Sequence, residues 1–297
     1  MNEILVASPA RWLAALVLIC SITAAKGQGL AAAQSPATAV DQAALQAKPA
    51  ASENDAMLAK AGKLYYSTTK LGLSGFTCSL RPDWHEVFAS AQPGAMVAAD
   101  DPRVVLLNTV KITLHARMRG NSTMDWEPAV EPGKPLDPES VTLLDNMHKG
   151  TEQSIQGFLQ FWTPFVDGSA IPESSAGIEI TPVGKGYSLN ARQGTSEVTE
   201  ILDGDLVLVH FDVAMDGATV KFAPTFQPTE KGLLVTGFNA QIRSADAPPE
   251  KTQEIRVGIE YKPVQEIPIP SRLTMESVGT GIFNFRFEDC TVTTQAK

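Results

Sequence analysis

The residue types that most often carry out catalysis or bind metals are few in this chain, and their spacing matches no known motif. There are four histidines, His85, His115, His148 and His210, and none belongs to an H-E-x-x-H pair. His115 falls on the polar face of a predicted strand, where solvation is the ordinary state of a histidine. The chain also lacks the G-x-S-x-G and S-x-x-K nucleophile motifs and a phosphate-binding glycine loop. We therefore predict a protein that is not an enzyme, with no catalytic residue, no metal and no cofactor.

The N-terminus predicts export from the cytoplasm. Arg11 precedes an uncharged apolar run from Leu13 to Ile22, and small residues follow up to Ala25. This is the pattern of a cleaved signal peptide over residues 1–25. The run is shorter than the ~20 apolar residues that span a bilayer. We expect a periplasmic or secreted protein without a stable membrane span after cleavage; a buried helix of a cytosolic protein and a lipidated N-terminus are the alternatives.

The compartment determines how the cysteines behave. Cys20 would leave with the signal peptide, so Cys78 and Cys290 would remain as an even pair in an oxidising environment. Neither belongs to a C-x-x-C motif, which disfavours zinc and thioredoxin-like redox chemistry. A catalytic thiol lacks an obvious base nearby. The pattern favours a structural disulfide, and two buried free thiols are the alternative.

Composition divides the remaining chain into a linker and one domain. Residues 26–53 are rich in Ala, Gln, Pro and Ser and contain no aromatic residue, so we expect a disordered linker. Residues 54–297 are long enough for a single β-rich domain with a sizeable core. The formal net charge is −9. Without a basic block, this charge excludes nucleic acid as an expected partner.

A long amphipathic helix is predicted in the middle of the chain. Asp137 is a suitable N-cap and Pro138 suits the first helical position. Pro164 is expected to end the helix near Thr163. Apolar residues recur at helical spacing and form one stripe, which consists of Val141, Leu144, Met147, Ile155, Phe158, Leu159 and Trp162.

The rest of the domain is predicted to be an N-terminal helix followed mainly by strands. The helix is expected to begin at an N-cap on Asn54 and to end by Gly72. A hairpin is predicted around the turn at Gly120. From Gly177 onward, short alternating segments separated by turns predict an antiparallel meander with one apolar face. Its last strand places three aromatic residues on one face: Phe283, Phe285 and Phe287.

The order of these elements resembles the LolA/LppX-like lipoprotein-carrier superfamily of bacterial envelopes. The similarity is carried by a helix that runs into GLSGFTCSL and by the closing pattern IEYKPV … IPIPSRLTMESVGTGIFNFRFEDCTV. The resemblance implies an α+β fold with a strongly curved antiparallel sheet, a half-barrel, whose concave face is covered by the N-terminal and midchain helices. It also implies an apolar cavity that shelters acyl chains. The segment from Asp83 to Asn108 matches no family pattern.

The sequence leads to two functional hypotheses for an exported envelope protein. In the first, a lipid or lipoprotein acyl chain binds between the sheet and the helices, next to Phe158, Leu159, Trp162, Phe283, Phe285 and Phe287. In the second, the same fold has a filled core and acts as an interaction or structural module without a small ligand. Cavity volume distinguishes them, because apolar layers either interdigitate or leave a gap that a ligand can fill.

Overall fold

The computed structural model describes residues 53–91, 96–118, 120–129, 136–168, 170–193, 196–215, 217–244, 248, 252–278 and 281–294. The predicted signal peptide and the predicted linker, apart from Glu53, lie outside the described residues. So do Arg119, most of the proline-rich segment at 130–135, and the turn at 279–280.

The described residues form four α-helices and twelve β-strands. The helices are α1 (Glu53–Gly62), α2 (Trp84–Ala91), α3 (Pro102–Asn108) and α4 (Pro138–Asp167). The strands are β1 (Leu73–Pro82), β2 (Lys111–Arg117), β3 (Thr123–Glu127), β4 (Ile178–Val183), β5 (Gly186–Gln193), β6 (Ser196–Leu202), β7 (Leu208–Met215), β8 (Ala218–Thr229), β9 (Gly232–Ser244), β10 (Gln253–Val264), β11 (Ile267–Ser277) and β12 (Gly281–Thr294).

All twelve strands belong to one sheet with the order β3-β2-β1-β12-β11-β10-β9-β8-β7-β6-β5-β4. Every neighbouring pair is antiparallel. The sheet is not closed, because β3 and β4 are edges at opposite ends. The predicted α+β class and antiparallel meander are confirmed. The predicted hairpin is also confirmed, since β2 pairs with β3 and places Ile112 opposite Trp126.

A disulfide between Cys78 and Cys290 joins the first strand to the last. The two Cα atoms are 4.2 Å apart, and the bond closes a sequence separation of 212 residues. Uninterrupted alternation along β12 would turn Cys290 away from the core. A bulge corrects this, because the pairing of β1 with β12 shifts register next to Asp289, whose φ is 49°. The predicted disulfide is confirmed.

The N-terminal helix is shorter than predicted. α1 begins at Glu53, so Asn54 lies inside its first turn, and it ends at Gly62. The chain then pairs with the start of β9: Leu233 N donates to Leu64 O at 2.7 Å, and Tyr66 N donates to Leu233 O at 2.9 Å. These bonds take the backbone groups that a longer helix would have used. Gly72 instead ends a separate 3₁₀ turn.

The midchain helix begins as predicted and ends later than predicted. Asp137 is the N-cap and accepts a bond from Ser140 N at 2.8 Å. The helix continues past Pro164 to Asp167, so the predicted stop near Thr163 is wrong. The residue after this proline turn, Val166, is buried, and its carbonyl accepts bonds from the backbone N and the hydroxyl of Thr68. Burial and these bonds offset the hydrogen bond that proline removes.

α2 lies where β1 would have continued beside β12. β1 pairs with β12 only as far as Pro82, opposite Phe285. Beyond that point, Asp83 N donates to Asn284 O at 2.8 Å, and Ile282 N donates to Ser90 Oγ at 2.8 Å. Because the helix satisfies these edge groups, it is held against the end of β12. This placement forms one wall of the cavity described below.

Candidate ligand cavity

The last part of α4, from Phe161 to Asp167, is packed directly onto the sheet by aromatic rings. The ring centroid of Phe161 lies 3.8 Å from that of Phe238 and 5.8 Å from that of Phe222. Phe165 lies 5.8 Å from Phe226. Such close ring contacts are typical of a filled protein interior. This part of the helix therefore leaves no room for a ligand chain along these contacts.

A hydrogen-bonded chain also fixes this last part of α4 to the sheet. Trp162 is fully buried and packs edge-on against Phe76 at 5.9 Å. Its indole Nε1 donates to the Tyr261 hydroxyl at 2.8 Å, and that hydroxyl donates to Val235 O at 2.6 Å. Burial raises the pKa of Tyr261, so its hydroxyl keeps the proton that the second bond needs.

The middle part of α4, from Met147 to Phe158, covers a cavity of about 320 Å³. The helix contributes the roof, which consists of Met147, Gln153, Ser154, Gly157 and Phe158. The sheet contributes the floor, which consists mainly of Phe238, Ile255, Val257, Met275 and Phe283. α2 contributes the side wall with Val87, Phe88 and Ala91. The volume is within the range of ligand sites in proteins.

The cavity opens to solvent on one side. Phe238, Ile255 and Val257 are buried at its floor, while Gln153 and Ala91 are exposed. A hydrophobic site with a buried floor and an accessible rim allows a ligand to enter from water. The opening is therefore suited to a molecule whose apolar part is inserted first.

The cavity exists because α4 carries small side chains on this part of its buried face. Ser154 and Gly157 lie three residues apart, and Phe161 and Phe165 continue the same face at i+4 spacing. The face therefore changes from small to aromatic residues within about two turns. A gap remains above the small residues because the sheet does not fill it.

The polar side chains that point into the cavity are uncharged. Gln253 Nε2 donates to Ser277 Oγ at 3.1 Å at one end of the floor. Glu276 also reaches the cavity edge, but its carboxylate pairs with Arg256 Nη1 at 3.4 Å. Arg256 lies opposite Glu276 in the register, one residue from the buried Ile255. Since successive strand residues point to opposite faces, this ion pair lies on the other side of the sheet.

The six candidate residues from the sequence fall into two groups. Phe158 and Phe283 line the cavity. Leu159, Trp162, Phe285 and Phe287 lie in the packed core beside it, each with at most 4% of its surface exposed. The two groups meet where Phe158 lies 6.3 Å from Phe287.

Sequence reasoning missed the α2 wall and most of the floor. No element is predicted for the segment from Asp83 to Asn108, although Asp83 and Glu86 have the spacing of a capping box. Asp83 Oδ1 indeed accepts from Glu86 N at 3.0 Å. The floor residues Ile255 and Val257 alternate along a recognised strand, but nothing in that alternation indicates which strand faces a gap.

A buried acid lies outside the cavity. Glu200 on β6 belongs to the apolar face of the sheet, opposite Leu189 on β5 and Phe211 on β7. Its Oε2 has no hydrogen-bond partner among the residues that the structure describes. Burial raises the pKa of Glu200 to about 8. The nearby Tyr65 hydroxyl, which accepts from Leu208 N at 2.7 Å, has a pKa raised to about 12, mainly by burial.

The structure shows where His115 lies and which potential metal ligands lie close together in the described part of the chain. His115 lies on the outer side of β2, with Nε2 3.0 Å from Asp125 Oδ2 and Nδ1 3.2 Å from Thr77 Oγ1. Within the described ranges, no group of three or more His, Cys, Asp or Glu residues could hold a metal ion. No helix in these same ranges combines the length and apolar character of a membrane span.

Comparison with family models, with curated proteins and with solved structures finds no match for this chain.

Proposed function

We propose that this protein is an exported carrier or chaperone that binds a lipid or lipoprotein acyl chain in the cavity under the middle part of α4. The observation that carries the proposal is a cavity of about 320 Å³ with predominantly apolar walls. Each buried CH₂ group gains about 0.8 kcal/mol on leaving water, so such a cavity strongly favours an aliphatic ligand. In this proposal α1 and α4 cover the concave face of the curved sheet.

The proposal also draws on the resemblance of the sequence to LolA/LppX-like carriers. An open antiparallel sheet with a helix over an apolar gap is the arrangement that such a carrier requires. The predicted export signal would place it in the envelope, where acyl chains must cross water. A carrier would lower the large cost of exposing these chains.

The proposal is tested by mass spectrometry of lipids extracted from the mature protein purified from its native envelope. We expect a lipid in near-stoichiometric amount. Ser154→Leu places a larger side chain in the cavity and should remove most of the co-purifying lipid. Asn146→Leu makes a comparable change at an exposed position of the same helix and should retain it.

If neither the wild-type protein nor either variant carries lipid, the carrier hypothesis is refuted. The fold would then be assigned to an envelope interaction module. Lipid that is present in the wild type and retained in both variants would show that the cavity is not the binding site. Thermal unfolding of each variant checks that the fold is retained.

A further inference from the structure

We infer that the ligand is an amphiphile with one aliphatic chain and an uncharged, hydrogen-bonding head group. This inference rests on the proposed function, since it names the class of lipid that the same cavity would bind. It depends on three properties of the site: its volume, the absence of charge on the side chains that face it, and the position of its polar groups.

The volume fits one chain. A water-sized group occupies about 30 Å³ in a liquid, so a cavity of about 320 Å³ holds about ten of them. A methylene group is of similar size. One chain of about ten to twelve carbons would therefore fill the space, and a second chain would have to remain in solvent.

The cavity offers no charge to an ionic head group. Among the described lining residues, the polar side chains that face the cavity are Gln153, Ser154, Gln253 and Ser277, which are all uncharged. The Glu276 carboxylate lies on the other face of the sheet with Arg256. A carboxylate or phosphate placed among these side chains would lose hydration without gaining a counter-charge.

The cation beside the cavity wall is already paired. The Arg103 guanidinium lies 4.6 Å from the ring centroid of Phe88, which lines the cavity. Asp101 holds it through two bonds, from Nε at 3.0 Å and from Nη2 at 2.7 Å. A bidentate pair of this kind neutralises the guanidinium and fixes its orientation. Recruiting Arg103 to an anionic ligand would require breaking this pair.

The polar groups indicate the orientation of the ligand. Gln253 and Ser277 are hydrogen-bonded to each other at one end of the cavity floor. Val257 lies four residues further along β10, which corresponds to about 13 Å, and it is opposite Phe238. The head group would therefore bind at Gln253 and Ser277, and the chain would extend toward Val257 and Phe238.

The inference is tested by titrating the mature protein, freed of lipid, with single-chain probes held below their critical micelle concentrations. The head-group probes are monolauroylglycerol, laurate at pH 8 and lauroyl-lysophosphatidylglycerol. We expect monolauroylglycerol to bind at least about fivefold more tightly than either anion, because an anionic head group would lose hydration without gaining a counter-charge. In a monoacylglycerol series, affinity should rise about fourfold per CH₂ and level off near twelve carbons.

Two matched variants test the position of the head group. Gln253→Leu should weaken monolauroylglycerol binding about five- to tenfold by removing the head-group contact. Gln241→Leu is the control, because Gln241 is an exposed glutamine on neighbouring β9 and does not line the cavity. It should leave the affinity unchanged.

The outcomes separate this inference from the proposed function. Equal or tighter binding of laurate or the lysophospholipid would overturn the uncharged head group while leaving a lipid carrier in place. An affinity that continues to rise to eighteen carbons would overturn the single short chain. If no probe binds, and Ser154→Leu has no effect on co-purifying lipid, the proposed function fails as well.

Discussion

Two parts of α4 lie on the same apolar face of the sheet and pack against it in different ways. In the last part, from Phe161 to Asp167, Phe161 and Phe165 contact rings from β8 and β9 and fill the space between the layers. In the middle part, from Met147 to Phe158, Ser154 and Gly157 leave a cavity above β10, β11 and β12. We refer to these as the closed region and the open region.

The difference shows that one amphipathic helix can contribute both to a packed core and to the wall of a cavity. The stripe of apolar residues continues across both regions, so amphipathicity alone does not distinguish them. Side-chain volume does, because a protein interior fills to high density unless the residues present are too small. Substitutions in the closed region should therefore affect stability, and those in the open region should affect ligand binding.

The largest expected effect comes from the disulfide, which ties β1 to β12 beside the open region. The chain-entropy model gives about 5 kcal/mol for a bond that closes 212 residues. We expect Cys78→Ala/Cys290→Ala to lower the free energy of unfolding by an amount of this order, measured by urea titration. The neighbouring cross-strand pair Thr77 and Thr291 provides the control, and its double alanine variant should lose far less. If both double variants lose the same free energy of unfolding, the disulfide adds nothing to stability.

A large-to-small substitution should separate the two regions. Phe161→Ala removes a buried ring from the closed region and should cost about 3–5 kcal/mol. Phe88→Ala makes the same chemical change at a partly exposed wall of the open region, and its cost should be clearly smaller. Denaturant unfolding of both variants measures the difference. Similar losses would contradict the distinction between the regions.

Stability should depend on pH through Glu200, on the apolar face of the sheet outside the cavity. Its pKa in the folded protein is about 8, compared with an ordinary value of 4.5, so the folded protein keeps a proton that the unfolded chain releases. Its contribution to stability is therefore complete below about pH 4.5 and falls as the pH rises toward 8. Between pH 6 and pH 8 the expected loss is about 2 kcal/mol.

Glu200→Gln should remove this part of the pH dependence, so its stability relative to the wild type should increase from pH 6 to pH 8. The matched control is Glu197→Gln on the exposed side of the same strand. The difference in stability between Glu197→Gln and the wild type should be nearly constant between pH 6 and pH 8. An unchanged pH profile for Glu200→Gln would show that Glu200 is ionised in the folded protein.

The smallest effect on stability, and the sharpest comparison, comes from two neighbouring aromatic residues on β12. Phe285 is fully buried in the core, whereas Phe283 lines the cavity and stacks on Phe285 with centroids 6.5 Å apart. Phe285→Trp should overpack the core and cost about 1–3 kcal/mol. Phe283→Trp should change stability by less than about 1 kcal/mol and reduce bound lipid. Reversed results would locate the free space at Phe285.

Much of the architecture follows from local signals in the sequence. Alternation predicted the hairpin of β2 and β3 and the meander from β4 to β12, because the side-chain period of a strand is read directly from neighbouring residues. The N-cap at Asp137 predicted the start of α4. This signal is also local, because a capping bond joins residues three positions apart. An even cysteine pair, once export is assumed, predicted the disulfide.

Other features were decided by tertiary contacts. The sequence signals at Gly72 and Pro164 gave the wrong helix ends, because pairing with Leu233 ends α1 early and the bonds from Thr68 stabilise α4 past its proline. The bulge at Asp289 that turns Cys290 inward depends on the register between the first and last strands.

The pattern of apolar residues requires the sheet face and the amphipathic helix to cover one another. It does not specify where the two leave a gap. That depended on which residues of α4, β10, β11 and β12 meet, and on α2 occupying the free edge of β12. A cavity is the space left between elements distant in the chain, so its position is a property of their packing rather than of any local pattern.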